Sequence, residues 1–285
     1  MAPTIETIVN VERFPIFHSG DDGYQSLVSD ISNQLEAKGC AVLKGFIRPE
    51  FQNLLSEESA CVAQHAYGKV EAVNVYNTDV TAEYPTDHPG RIIMQKGNAF
   101  VARDQIGKDA VIARLYENCD FKSFIGQCFN LDQVYELGDP YSGLCVNVLR
   151  PGHEHPWHFD INEYTVSMLT QLPLDGGVFE YCPNIRTPQS ENMPAVLKVM
   201  TGGEDVKIER LRLQPGDLQL FKGRYAMHRV TKIIGDQQRH TAIFAYSEIP
   251  GIIATPERSR QLFGRVAPEH LRAEMGNARS DNLMD

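Results

Sequence analysis

The sequence predicts a mainly β protein with α: a double-sheeted sandwich or barrel carrying an N-terminal helical layer. Helical spacing dominates the first 130 residues. From Gln133 onward about nine short strand-like runs follow, broken by Gly and Pro. No alternation of strand and helix suggests a parallel sheet. Division of 285 residues by a typical domain length gives about two domains. β-Barrels of this size often stand as one, and a single domain over 1–285 is expected: a helical layer and substrate loop at 1–130, the β core at 131–250, and a C-terminal lid or helix at 251–285.

The elements follow in order. In DGYQSLVSDISNQLEAKG, Leu27, Val28, Ile31 and Leu35 share one helical face, and Gly39 suits the helix end. CAVLKGF reads as a short strand. Phe51, Leu54, Leu55 and Val62 restore helical spacing from Pro49 to about Tyr67, with Pro49 placed for a first turn. Residues 77–105 carry turn chemistry and little periodicity, so a long binding loop or lid is expected there. A third helix is expected over about 108–129. The strand candidates are QVYEL, GLCVNVL, PWHFDI, YTVSMLTQL, GGVFEYC, VKIERLRL, DLQLF, MHRVTKII and HTAIFAYSE, interrupted by a helix at 194–200. PEHLRAEMG suggests a small helix before a polar tail.

Composition excludes more than it proposes. Lys and Arg total 27 against 37 Asp and Glu, a net charge of −10. Such a balance disfavours nucleic acid or an anionic membrane as partner, because both demand a local excess of cations. None of the six cysteines forms a C-x-x-C pair, and most sit in apolar surroundings, so free thiols are expected. Without a basic, apolar N-terminal leader or a run of ~20 apolar residues, a cytoplasmic setting is the expectation.

Chemistry concentrates in HEHPWHFDINEYTV. His158 and Asp160 lie two apart on an expected strand, which turns both to one face. His228 lies on another strand, in PGDLQLFKGRYAMHRV. Two imidazoles and a carboxylate converging inside a barrel make a facial triad that leaves part of an octahedral metal open, as non-haem iron(II) chemistry needs. Arg239 and Thr241 follow on one strand face, a clamp suited to a carboxylate. An isolated His-x-Asp is more often a surface pair; the distal His, the spaced Arg and the flanking Gly-rich strands reverse that balance.

With these motifs, residues 140–250 resemble the Fe(II)/2-oxoglutarate-dependent dioxygenases, whose core is a double-stranded β-helix (jelly-roll, cupin-like). The wording HPWHFDINEYTV is similar, more narrowly, to the amino-acid hydroxylase and radical halogenase group around the lysine halogenases. The halogenases of that group have Gly where this chain has Asp160, so the resemblance implies a hydroxylase. It implies His158, Asp160 and His228 as iron ligands, with Arg239 and Thr241 on the far carboxylate of 2-oxoglutarate. Fe(II), 2-oxoglutarate and O2 are then the expected cofactors.

Other residues are weaker candidates. Asn147, in CVNVL, would meet the cosubstrate or a neighbouring strand. His155 would line the substrate pocket while His153 faces water, and Trp157 is core or pocket wall. By the resemblance Arg91 holds a substrate carboxylate, with Arg103 competing for that role. Glu136, Asp139 and Glu163 are the acidic groups considered for a substrate cation. The expected reaction is hydroxylation of an unactivated C–H bond of a small molecule, a free amino acid or derivative. The alternative is an oxygenase acting on a larger metabolite or a protein side chain. The sequence leaves the oligomeric state open, a homodimer included.

Overall fold

The computed structural model describes residues 3–272, 283 and 284. Helix α1 (Asp22–Lys38) ends on Gly39 in the left-handed conformation, and β1 (Cys40–Leu43) follows at once. A 3-10 turn on Pro49 leads into α2 (Gln52–Ala63). Next come β2 (Glu71–Val73), β3 (Met94–Lys96) and β4 (Asn98–Val101). The expected irregular stretch 77–105 is therefore a loop only in its first half. Its second half supplies two strands, because partners distant in sequence supply the pairing that its local pattern does not advertise.

The expected helix over 108–129 is two helices, α3 (Val111–Glu117) and α4 (Cys119–Cys128). Asn118 separates them: its backbone is extended, and its side chain accepts a hydrogen bond from the Phe121 amide as the cap of α4. The β core comprises β5 (Leu144–Leu149), β6 (His155–His158), β7 (Thr165–Gln171), β8 (Phe179–Cys182), β9 (Glu209–Leu211), β10 (Leu218–Phe221), β11 (Met227–Val230) and β12 (Arg239–Phe244). Helix α5 (Met193–Met200) interrupts it, and α6 (Pro256–Phe263) and α7 (Pro268–Arg272) follow it. The expected polar tail lies outside the described residues, apart from Leu283 and Met284.

Two antiparallel sheets form the core, with strand orders β1-β10-β7-β12-β5-β4 and β9-β8-β11-β6. Neither closes into a barrel. Strand alternation gives the larger sheet two different faces. Ala99, Leu144, Val146, Val148, Val166, Met168, Leu218, Leu220, Ala242 and Phe244 meet α1 to α4 in one apolar cluster with Ile31, Leu35, Leu55, Leu115 and Phe121. That contact is the main core, and it fixes the helical layer on the sheet. The opposite face looks toward the smaller sheet and carries Asn98, Asn147, Arg239 and Thr241, polar residues that hydrophobic packing cannot explain. Truncating one aliphatic side chain of the helix-facing core, such as Leu115, would cost about 2–5 kcal/mol. All six cysteines are free thiols. No described helix is long and apolar enough to cross a membrane.

Candidate active site

His158 ends β6 and pairs directly with His228 of β11 across the smaller sheet. Asp160 was expected on the same strand, but the strand stops at His158. Chain beyond it bends because the Phe159 amide donates to the Val75 carbonyl and the Asp160 amide to the Gly223 carbonyl. The carboxylate still reaches both rings: Asp160 Oδ1 lies 3.6 Å from His158 Nε2 and 3.4 Å from His228 Nε2. These three ligand atoms all lie within 4.8 Å of one another.

Backbone partners orient the two rings toward a shared centre. His158 Nδ1 lies 2.8 Å from the Pro156 carbonyl and His228 Nδ1 lies 2.9 Å from the Ala226 carbonyl. A carbonyl can only accept, so both protons sit on Nδ1 and both Nε2 lone pairs turn to the centre. Burial, with His228 adding to it, pushes His158 down to about 4 against the pull of Asp160. For Asp160 burial alone would raise the carboxyl; coupling to the two imidazoles outweighs it and holds the group well below its ordinary range. Asp160 Oδ2 accepts a hydrogen bond from Thr165 Oγ1 at 2.7 Å, which leaves Oδ1 for the centre. Three ligand atoms converging so closely make a set that a cation can occupy. Two imidazoles and one carboxylate suit iron(II).

A second feature fits 2-oxoglutarate. Arg239 is only 4% exposed, and among the described residues no carboxylate pairs with it. Its Nη1 donates to Thr241 Oγ1 at 2.5 Å. Burial pushes the guanidinium down to about 10, so it stays charged at neutral pH and calls for an anion. Thr241 pairs with Asn147 across β12 and β5, and the Asn147 side-chain oxygen is buried without a partner. Beside them Asn98 pairs with Leu149, and both of its side-chain amide atoms are buried without partners. Arg239, Thr241, Asn147 and Asn98 would together hold the cosubstrate. Asn98 escaped the sequence reading because it lies in the stretch expected as loop; the Asn in GNAFV was the one local sign.

His155 stacks on His158 with ring centroids 3.7 Å apart. Residues three apart on a regular strand face opposite ways. Here His158 pairs with His228 but His155 with Val230, so β6 carries one extra residue, and this bulge turns both rings together. Burial first, then His158 and Lys96, keeps His155 well below its ordinary value and hence neutral. His153, expected to face water, is half-buried, with its ring against Gly97 and its Nδ1 buried. Trp157 is core, with Arg229 over its indole. Arg91 lies exposed at the end of a 3-10 turn. Arg103 pairs with Glu136 and Glu117, and Glu136 also with Lys122. Asp139 is buried against His270. Arg103, Glu136 and Asp139 are thus held in ion pairs within the protein.

Comparison with known proteins agrees with this geometry. The family model described as "HalD: Halogenase D" matches residues 24–251. No curated protein matches the chain. Among solved structures, a prolyl hydroxylase from Trichoplax adhaerens in complex with a hypoxia inducible factor peptide fragment is similar in fold, with TM-score 0.53 and 17% identity over 81% of this chain and 96% of that one. The carbocyclase SnoK, non-heme and alpha ketoglutarate dependent, from nogalamycin biosynthesis, gives 0.53 and 11% over 78% and 85%. The epimerase SnoN, solved with Fe3+, alpha ketoglutarate and nogalamycin RO, gives 0.52 and 14% over 78% and 84%. At these identities the structures speak to fold alone, which is that of the 2-oxoglutarate- and iron-dependent oxygenases. The chain belongs to the halogenase D family, and carries the fold and donor set of an iron(II)- and 2-oxoglutarate-dependent oxygenase.

Proposed function

We propose that the protein hydroxylates an unactivated C–H bond of a small molecule, a free amino acid or a derivative of one. The observation that carries this reading is the presence of Asp160 Oδ1 beside both His Nε2 atoms. The halogenases that the motif resembles have glycine at this place, leaving room for chloride. Here a carboxylate fills it, so hydroxyl transfer is the outcome the donor set favours.

When bound, iron and 2-oxoglutarate supply the oxidising power, with O2 consumed and succinate and CO2 released. The protein's own residues bind, orient and exclude water. His158, Asp160 and His228 would hold the metal. Arg239 and Thr241 would grip the far carboxylate, and Asn147 and Asn98 would hydrogen-bond the polar atoms near it. Phe179 and Phe221 pack on the His228 ring and keep that side dry. His155, neutral and stacked on His158, faces the substrate with a ring nitrogen able to donate or accept. The net charge of −10 suits a zwitterionic or cationic molecule better than a polyanion.

Aerobic turnover with iron(II), 2-oxoglutarate and a panel of free amino acids tests the reading. One amino acid should stimulate succinate release and yield a product heavier by one oxygen, with chloride present or absent. A chlorinated main product, or stimulation only by a peptide or a polyketide, would reject it.

A further inference from the structure

Two cations near the triad have no role in the site described so far. Lys96 ends β3 and is only 8% exposed, without an ion pair among the described residues. Met94, two residues earlier on the same strand face, packs on the cluster holding Trp157, Tyr76 and Phe159. Gly97, the residue after Lys96, donates its amide to the Glu154 carbonyl just before His155, so the end of β3 lies along the start of β6. Arg258, half-buried, extends from α6, which docks on β4. Its Nη1 donates to Gln261 Oε1 at 2.9 Å, and Gln261 Nε2 reaches Glu71 Oε2 at 3.5 Å. Glu71 is in turn the cross-strand partner of Lys96.

One carboxylate therefore stands among two cations, since Asp160 is committed to the metal. The cluster keeps an excess of one positive charge in a partly dry place, which is costly unless an anion meets it. Electrostatic coupling ties both side chains to the site. His155 feels Lys96, and Arg258 feels Asp160, Glu71 and Cys145, the last on the inward face of β5. Burial, with Arg258 adding to it, brings Lys96 down to about 8 against the pull of Glu71. Arg239 would be taken by the cosubstrate, so the anion is a different one. An excess of one charge matches a carboxylate better than a doubly charged phosphate.

We propose that Lys96 and Arg258 form an anion subsite beside the triad, and that it receives a carboxylate of the substrate. This rests on the amino-acid reading above and names the side chains that make it selective. It assigns the carboxylate to the β3 strand and α6, where the resemblance assigned it to Arg91.

Calorimetric titration of the iron- and 2-oxoglutarate-loaded protein under nitrogen, with free L-amino acids and their primary carboxamides, tests it. The best-binding acid should exceed its own amide by at least about tenfold. Lys96→Met and Arg258→Gln should each reduce that ratio to about threefold or less, and raise KM more than they lower kcat. Lys96→Arg, which keeps the charge, should retain the preference, and thermal melting confirms that each variant folds. An unchanged ratio in both charge-removing variants overturns the proposal. So does a ratio that collapses only in Arg91→Gln, or a loaded protein that binds no amino acid in either form. Failure to take up iron or 2-oxoglutarate at all is a separate result, and it would overturn the oxygenase reading itself.

Discussion

His158 and His228 face each other across β6 and β11, and each ring gives its Nδ1 proton to the carbonyl two residues before it. The same local device thus fixes both tautomers. It depends on backbone alone, so the donor geometry exists before any metal arrives. Replacing either histidine by Ala should weaken iron(II) binding by at least about 100-fold, as loss of a ligand exceeds the 10–100-fold typical of an outer contact. Titration with cobalt(II), followed by its visible spectrum, measures this without turnover. Retention of wild-type affinity in either variant would remove that residue from the site.

Gly223 sets the position of the third ligand. A Cβ there would stand 2.0 Å from Asp160 Oδ2. Backbone Gly223 also accepts from the Asp160 amide, so neither partner can withdraw freely. Gly223→Ala should therefore lower metal affinity by about 10–100-fold while the helical core stays folded. Thr165→Val removes the hydrogen bond to Oδ2 without adding volume, and its loss should be smaller. Equal effects of the two substitutions would argue against steric control by Gly223.

Much of this site was legible in the text of the chain, for a physical reason. His158, His228, Arg239, Thr241 and Asn147 lie on strands, where alternation assigns each a face, and Asp160 follows His158 by two residues, so all six have local signatures. What was not legible depends on contacts distant in sequence. Asp160 was placed on a strand because nothing local announces that Val75 and Gly223 capture the backbone beyond His158. The bulge that stacks His155 on His158 is a property of the pairing with β11, not of HEHPWH. Strands β3 and β4 are short and poorly patterned, so Lys96 and Asn98 were hidden in an expected loop. Their burial comes from β5 and β6, which the chain reaches some 50 residues later.

Arg239 is a buried cation with no carboxylate partner among the described residues, and this gives opposite signs for stability and function. Arg239→Met removes a buried charge that has no counter-ion among the described residues. The ligand-free protein should be unchanged or more stable, by up to about 1–4 kcal/mol in denaturant unfolding. The same substitution should raise the KM for 2-oxoglutarate by about 100-fold or more, since charge-assisted bidentate bonds are lost. Arg239→Lys keeps the charge but not the fork, and should fall between the two. A destabilised Arg239→Met protein with normal KM would show that the guanidinium serves packing alone.

His240 offers a test away from the metal ligands, on the sheet face that meets α2. It is 1% exposed, with Nδ1 3.3 Å from Ser59 Oγ and Nε2 3.0 Å from Gln238 Oε1. Burial, with adjacent Arg239 adding to it, pushes His240 down to about 4 from an ordinary 6.5. The folded chain thus binds this proton more weakly than the unfolded chain does. Above about pH 6.5 both forms are neutral and stability is unaffected. As pH falls from 6.5 toward 4 the unfolded state takes up the proton first, and stability drops. The loss attributable to His240 should reach about 1–3 kcal/mol by pH 4. Urea unfolding of metal-free wild type and His240→Gln across this range isolates the contribution, and the variant should show a shallower decline. Parallel curves for the two proteins would mean that His240 is not the group that titrates.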